Sequence, residues 1–339
     1  MTIEDLARPE IRDLRAYESA VRTDVALRLH ANESPDGSNA LNRYPEIRPV
    51  ELQSRLAERF GVSPDHILAT RGSSEAIDLL IRTFCRAGVD NIVITPPTFV
   101  LYQVYADIQG AATINCPMLA EQDFALDIDS LIASCTTSTK LIFICSPNNP
   151  TGNVVSRSAM LKLLEARKDK SIVVVDEAYI EFSDSRSMAE LVCEHDNLVV
   201  LRTLSKALAL AGARCGAVIG NSALIRMLNG VLAPYALATP VIDCVMRALS
   251  DGESRVGEII SERDRTINKL TQNRLVRKVW PSQTNFLLVQ FHDLAEVQER
   301  LRADSILIRD FSDTPGLEDC ARITIGTADE NRRLLAALS

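Results

Sequence analysis

The 339-residue chain has no excess of basic residues, no paired cysteines, no clustered histidines and no long apolar run, and each absence removes a class of function. With 37 Lys and Arg against 45 Asp and Glu, the net charge is −8. That is the wrong sign for nucleic acid or an anionic membrane as partner, although a small basic pocket for an anion stays open. The eight cysteines stand singly, without a C-x-x-C spacing, and most, such as Cys145 and Cys215, lie in apolar surroundings. Buried free thiols in a reducing compartment explain them better than disulfides or zinc. The four histidines are dispersed, so no metal is expected. No stretch approaches the roughly 20 apolar residues of a membrane span. The N-terminus, MTIEDLARPEIRDL, is acidic and polar, unlike a signal peptide. Neither an internal repeat nor a low-complexity segment occurs. The expectation is a cytoplasmic protein whose partners are small molecules.

A hydrophobic fraction of 46% and a charged fraction of 24% describe an ordinary globule, long enough for two domains or one with a satellite. Residues 1–28 read as a polar arm with a short helix, and 29–37 and 42–49 as irregular, turn-rich chain that exposes Tyr44. Leu52, Leu56 and Phe60 mark a helix closed by Gly61. From about 67 to 220, apolar strands (67–70, 92–94, 141–145, 172–175, 198–201) alternate with helices, which predicts a mostly parallel sheet covered on both faces. After 240 the pattern changes to a long helix through Val256, Ile259, Ile260, Ile267 and Leu270. Short elements follow at 285–290, 294–301, 305–308 and 321–325, and then a terminal helix. The predicted organisation is an arm (1–40) packed with a small α+β domain (246–339), a large domain (41–245), and a hinge at Gly252.

Chemistry gathers where the strands end, the edge at which open α/β sheets bind ligands. Arg71-Gly72-Ser73-Ser74-Glu75 opens a helix and reads either as an anion cup or as a plain serine cap. The loop Thr95-Pro96-Pro97-Thr98 holds Phe99 for stacking on a planar ligand or for the core. Ser146-Pro147-Asn148-Asn149-Pro150-Thr151-Gly152 presents Asn149 on a stiff turn. Asp176 follows four aliphatic residues, with Tyr179 three positions on. Thr203 and Ser205 crowd Lys206, and Arg214 lies eight residues further. Alone, Lys206 is a surface lysine; at the end of a buried strand it can instead become a nucleophilic amine. One ligand needs this whole set: pyridoxal 5′-phosphate (PLP), with its aldehyde on a lysine, its pyridine nitrogen on a carboxylate, and its phosphate in a cup with an arginine.

The stretches LHANESP, RYPE, RGSSEAIDLLIRTFC, SPNNPTG, VVDEAYIEF, RTLSKALALAGARCG, APYALATPV, TNF, ILIRD and ARITIGT carry a resemblance over essentially the full chain. The sequence resembles the fold-type I PLP-dependent aminotransferases and, within them, the histidinol-phosphate aminotransferase family. SPNNPTG and the lysine motif belong to the whole superfamily, whereas RYPE, RGSSEAIDLLIR, DEAYIEF and APYALATPV point to the family. The resemblance implies an α/β fold with a large, mostly parallel mixed sheet and a smaller α+β domain. It implies that Lys206 bonds the PLP aldehyde and then carries a proton between Cα and C4′, and that Asp176 keeps the pyridine nitrogen protonated. Tyr179 and Asn149 would bond O3′. Ser73, Ser74, Ser205 and Arg214 would hold the phosphate with Thr203 beside them, and Phe99 would stack on the ring. Tyr44 would reach that phosphate from the partner subunit, which requires a homodimer. Arg322 would take the α-carboxylate of glutamate and, with Arg309 and Tyr17, position the phosphate end of histidinol phosphate; Asn32 is a further substrate candidate.

The chain departs from the family at Phe99, where tyrosine is frequent; the aromatic face remains and a hydroxyl is lost. The implied reaction is ping-pong transamination of L-histidinol phosphate with 2-oxoglutarate in histidine biosynthesis. An aromatic amino-acid aminotransferase, a PLP-dependent decarboxylase of a phosphorylated amino acid and a non-catalytic PLP-fold binding domain are the alternatives.

Overall fold

The computed structural model describes residues 2–12, 14, 16–17, 29–35, 41–251 and 255–339; the expected hinge at Gly252 lies outside them. Seven strands form the main sheet: β1 (Ile67–Thr70), β2 (Asn91–Ile94), β3 (Ala112–Asn115), β4 (Thr139–Cys145), β5 (Ile172–Asp176), β6 (Leu198–Thr203) and β7 (Gly216–Gly220), in the order β1-β7-β6-β5-β4-β2-β3. Their near-continuous Val, Ile and Leu content suits a sheet buried on both faces. Every neighbouring pair is parallel except those of β7, which runs antiparallel to both β1 and β6. The exception follows from the connection. Residues 204–215 contain only a short 3₁₀ turn, not the helix that a parallel crossover requires, so the chain returns beside β6 with Gly216 opposite Thr203.

The helices are α1 (Ile3–Leu6), α2 (Pro9–Arg12), α3 (Val50–Phe60), α4 (Gly72–Phe84), α5 (Leu101–Gln109), α6 (Ile128–Ser134), α7 (Arg157–Ala166), α8 (Ser222–Val231), α9 (Thr239–Asp251), α10 (Val256–Leu270), α11 (Leu294–Ala303) and α12 (Ala328–Ala337). One face of the sheet is covered by α4, α5 and α8, the other by α3, α6, α7 and α9. As expected, α3 stops at Gly61, whose φ of +69° closes the helix with a left-handed cap. Among the described residues no helix is long and apolar enough to cross a membrane.

The arm departs from expectation in its described part. Ile3, Leu6 and Ala7 are buried in the core of the large sheet with residues of α4 and α8, and the Arg8 N–H donates to the Thr83 carbonyl at 3.1 Å. The amphipathic turn fills the groove that α4 and α8 offer, so it sits on the large sheet and not on the C-terminal unit. Residues 18–28 and 36–40 of the arm lie outside the described residues.

The second sheet is antiparallel throughout, in the order β10-β11-β9-β8, from β8 (Val276–Val279), β9 (Phe286–Phe291), β10 (Arg309–Asp310) and β11 (Cys320–Thr324). It packs its aliphatic face against α10, α11 and α12. Residues 305–308 are irregular and pairing starts only at Arg309, because Ser305 turns left-handed at φ +57° and Leu307 points into solvent, 91% exposed.

Two contacts join the sheets close to the strand ends. Arg263 of α10, buried, donates through Nη1 to the carbonyls of Phe182 at 3.0 Å and Thr284 at 3.2 Å. Gly152 has φ +79°, accepts the Gln283 N–H at 2.8 Å, and lies so close to Ser282 that a Cβ would meet its Oγ at 2.7 Å and its Cβ at 2.9 Å. Gly152→Ala should therefore lower the melting temperature of the ligand-free protein by roughly 3–6 °C in calorimetry, from backbone strain and steric conflict together. An unchanged melting temperature would contradict this close approach.

Candidate active site

At the carboxyl edge of the main sheet lies a cavity of about 220 Å³, lined by Ser73, Ser74, Phe99, Asn149, Asp176, Tyr179, Thr203, Ser205, Lys206 and Arg214, with Cys145, Ala178 and Ala211. The sheet brings them together because β1, β4, β5 and β6 all end on this edge while β7 starts there. A larger space of about 770 Å³ opens on the other side of residues 206–209 toward α10 and α12. Its lining charges are mixed, Arg255 and Arg265 beside Glu258, Glu262 and Glu330, and it has no anion cup, so the chemistry belongs to the smaller cavity.

One end of the cavity is electropositive. No side chain caps the N-terminus of α4, and Glu75 accepts the N–H of Arg71 at 2.6 Å, which leaves the amides and hydroxyls of Ser73 and Ser74 to face the cavity. Gly72, at φ +77°, lets the Arg214 guanidinium approach; a Cβ there would meet Nη2 at 2.9 Å. At Gly216 a Cβ would meet the Arg202 carbonyl at 2.6 Å. Arg214 is held by Ser205 Oγ at 3.4 Å and the Ala211 carbonyl at 3.2 Å, and among the described residues it has no carboxylate partner. Thr203 Oγ1 donates to Ser205 Oγ at 2.9 Å, fixing that hydroxyl.

The opposite end is acidic. Asp176 closes β5, is 2% exposed, and sits in register beside Cys145 of β4. Its Oδ2 accepts the Tyr102 hydroxyl at 2.8 Å and its Oδ1 accepts the Ala178 N–H at 3.2 Å. Burial pushes its carboxyl up to about 6, although both hydrogen bonds and the nearby Lys206 charge favour the anion. Between the two ends, half-buried Lys206 has Nζ 5.7 Å from the centroid of the Tyr179 ring. Burial, then the charges of Arg322 and Arg214, hold its ammonium below the usual lysine range.

Neighbours fix these groups. Asn148 ties the two loops over the cavity, donating to the Pro97 carbonyl at 2.9 Å and to Thr151 Oγ1 at 2.7 Å while accepting Thr98 Oγ1 at 2.9 Å. Phe99 is thereby held at the wall. Arg202 of β6 pairs with Glu181 at 2.6 Å and stacks on Phe60 at 4.4 Å, locking the loop that carries Tyr179 to the strand that leads to Lys206. From the second sheet, Arg322 donates to Asn149 Oδ1 at 2.5 Å and stacks over Phe286 at 5.2 Å, whose ring stands edge-on to Tyr179 at 5.1 Å. Arg309 is the register partner of Arg322, and both guanidiniums lie over Phe311, at 5.9 and 5.7 Å. Neither arginine has a carboxylate partner within salt-bridge distance among the described residues.

Five predicted residues do not line the cavity. Arg322 reaches it only through Asn149, and Arg309 is one strand further out. Tyr44 is half-exposed and stacks on Tyr235 at 4.8 Å, Tyr17 is 60% exposed, and Asn32 has a left-handed backbone at φ +54°. Conversely, Tyr102, Cys145, Asn148, Arg202, Phe286 and Phe311 serve the site without having been singled out. Asn148 stands beside Asn149 in SPNNPTG, Arg202 opens RTLSKALALAGARCG and Phe286 ends TNF, so the motifs held a signal for these three.

The donor set fits PLP: a bare helix end with an unpaired guanidinium for a phosphate, a buried carboxylate for a ring nitrogen, an aromatic wall, and an amine of lowered basicity between them. The sequence model of aminotransferase class I and II matches residues 19–338. The histidinol-phosphate aminotransferase of Aeromonas salmonicida is 42% identical over 353 residues, covering 100% of this chain and 98% of that protein. That of Serratia proteamaculans is 43% identical, covering 100% and 96%. Among solved structures, the histidinol-phosphate aminotransferase of Sinorhizobium meliloti, in complex with pyridoxal-5′-phosphate, superposes with a TM-score of 0.78 at 23% identity, over 89% of this chain and 83% of that one, a likeness of fold. Geometry and full-length identity converge, and the chain belongs to the aminotransferase class I and II family, among the histidinol-phosphate aminotransferases.

Proposed function

We propose that the protein is a PLP-dependent aminotransferase that moves the amino group of L-histidinol phosphate to 2-oxoglutarate, giving imidazole-acetol phosphate and glutamate. The observation that carries this reading is the convergence of Lys206, Asp176 and the Ser73–Ser74–Arg214 cup in one cavity, with Arg322 of the second sheet bonded to Asn149 of its lining. When bound, PLP supplies an electron sink that stabilises negative charge on a substrate carbon. The protein's residues do the rest.

Ser73, Ser74, Ser205 and Arg214 hold the phosphate, Asp176 holds a proton on the pyridine nitrogen, Asn149 and Tyr179 bond the ring hydroxyl, and Phe99 covers one ring face. Lys206 would hold the aldehyde carbon until the substrate amine takes its place there, which frees Nζ as an amine. Its lowered basicity would then suit Nζ to move a proton from substrate Cα to C4′. Arg322, free of carboxylates among the described residues, takes the α-carboxylate of glutamate in a bidentate pair and, with exposed Arg309 and with Tyr17, the phosphate end of histidinol phosphate; Asn32 of the arm is a further substrate contact. Tyr44 does not line its own cavity, which supports a homodimer in which it serves the second copy. A small-molecule enzyme of this kind belongs in the cytoplasm.

The PLP-loaded protein, given 2-oxoglutarate and one donor at a time, should form glutamate from L-histidinol phosphate with kcat/KM about 100-fold or more above that for phenylalanine, because the phosphate-binding arginine is left unpaired by phenylalanine. Borohydride should fix PLP on the Lys206 peptide and not on Lys206→Ala, by mass spectrometry. A preference for phenylalanine would make the protein an aromatic aminotransferase, and CO₂ release from a phosphorylated amino acid without a keto acid a decarboxylase.

Arg309→Gln should raise KM for histidinol phosphate roughly 10- to 100-fold, the worth of a charge-assisted bond, with little change for glutamate. An equal loss for both donors would move Arg309 out of the phosphate role.

Asp176 also predicts a pH dependence. Its carboxyl in the ligand-free fold stands at about 6 against an ordinary 3.8, so the fold binds this proton more tightly than the unfolded chain. Stability from this group therefore falls as pH rises from about 4 to about 6, and above that the buried anion is a net cost. Ligand-free Asp176→Asn should melt above the parent at pH 7.5, by a margin that shrinks toward pH 4.5, while its affinity for PLP falls. A variant that melts below the parent at pH 7.5 would contradict this.

A further inference from the structure

We infer that Tyr102 is the positioning residue that aims Asp176 at the pyridine nitrogen and keeps it ionised for that task, an inference that rests on the PLP reading above. Tyr102, on α5, is fully buried, and its hydroxyl lies 2.8 Å from Asp176 Oδ2, across 74 positions of sequence. Its ring is clamped, stacked on Phe143 at 4.8 Å and 16° and edge-on to Phe99 at 5.7 Å and 87°. Phe99 lines the cavity and Phe143 belongs to β4, so the hydroxyl is fixed to the same wall that would cover the cofactor ring.

A carboxylate as buried as Asp176 needs donors to remain an anion, and it has two, Tyr102 and the Ala178 N–H. Tyr102 can only donate in this pair. Burial and the adjacent carboxylate hold its own ionisation well above the usual tyrosine range, so it does not compete for the proton. The other titratable groups near the pair are the buried thiol of Cys145 on β4, the Tyr179 hydroxyl and the Lys206 ammonium. With Oδ2 bonded to Tyr102 and Oδ1 to Ala178, the carboxylate plane is set at the wall of the cavity that Asp176 lines, and each oxygen keeps a further acceptor site. A phenylalanine at 102 would pack equally well, so packing alone does not account for the hydroxyl.

The test uses Tyr102→Phe loaded with PLP labelled at the pyridine nitrogen. Nitrogen NMR should show a smaller protonated fraction than in the parent at pH 7.5, the pH midpoint of that signal should fall, and the dissociation constant for PLP should rise roughly 10- to 100-fold, the loss of one bond to a charged group. In an Asp176→Asn background the same change should alter PLP affinity less than twofold, because its route has been removed. A parent-like nitrogen signal and pH midpoint in Tyr102→Phe would overturn the inference whatever happens to its melting temperature, as would a full, additive loss in the Asp176→Asn background. Failure of the parent protein to fix PLP at Lys206 would instead overturn the underlying reading.

Discussion

Two electropositive ends are pressed together at the edge of the main sheet. The N-terminus of α4 presents amides that no side chain caps, and the Arg214 guanidinium lies so near Gly72 that a methyl group would not fit between them. Like partial charges at this range repel unless an anion joins them. The surrounding architecture holds the pair in place. The antiparallel return of β7 carries Arg214 back beside α4, Gly216 lets that return pass over the Arg202 carbonyl, and the same loop delivers Lys206. In a chain of net charge −8, this is a local basic pocket built by backbone geometry, not by an excess of basic residues.

The acidic end of the cavity answers the basic one. A lone buried carboxylate weakens a fold, and Asp176 resists ionisation accordingly. It is retained where a positively charged ring nitrogen would compensate it, so the ligand-free protein carries a frustration that the cofactor relieves. Lys206 stands between the ends and feels both: burial and two arginines depress its basicity while Asp176 supports it. The amine is thus coupled through space to the acid at one side and to the arginines at the other, and removing Asp176 or Arg214 shifts the protonation of Lys206.

What the sequence made legible follows from how local each signal is. β1, β2, β4, β5 and β6 each hold an unbroken apolar run of three residues or more, and residues at or just beyond the ends of these strands line the cavity. β3 is only partly buried and short, and carries no such signature. Ile3 and Leu6 announce that the arm is buried but not against which unit, since any apolar groove satisfies them. Ile306 and Ile308 look like alternating strand positions, yet only Arg309 and Asp310 find a partner in β11. Tyr102 and Phe311 act through another side chain and lie in no motif, and the pairing of Arg202 with Glu181 links two separate motifs, so only the folded chain reveals these roles.

The second sheet enters the site through one bond that a substrate has reason to replace. Arg322 donates to Asn149, a neutral acceptor, and no carboxylate among the described residues claims its guanidinium. A carboxylate is the better partner, because both oxygens can meet the planar fork and the charges are opposite. Substrate binding would thus draw on a guanidinium already aligned by Phe286 and Phe311. Phe286 touches Tyr179, and Asn149 and Tyr179 both line the cavity. A change in the bonding of Arg322 therefore reaches the cavity through both. A planar guanidinium held in this way can pair with a carboxylate or with a phosphate, so one arginine is chemically suited to two different anions.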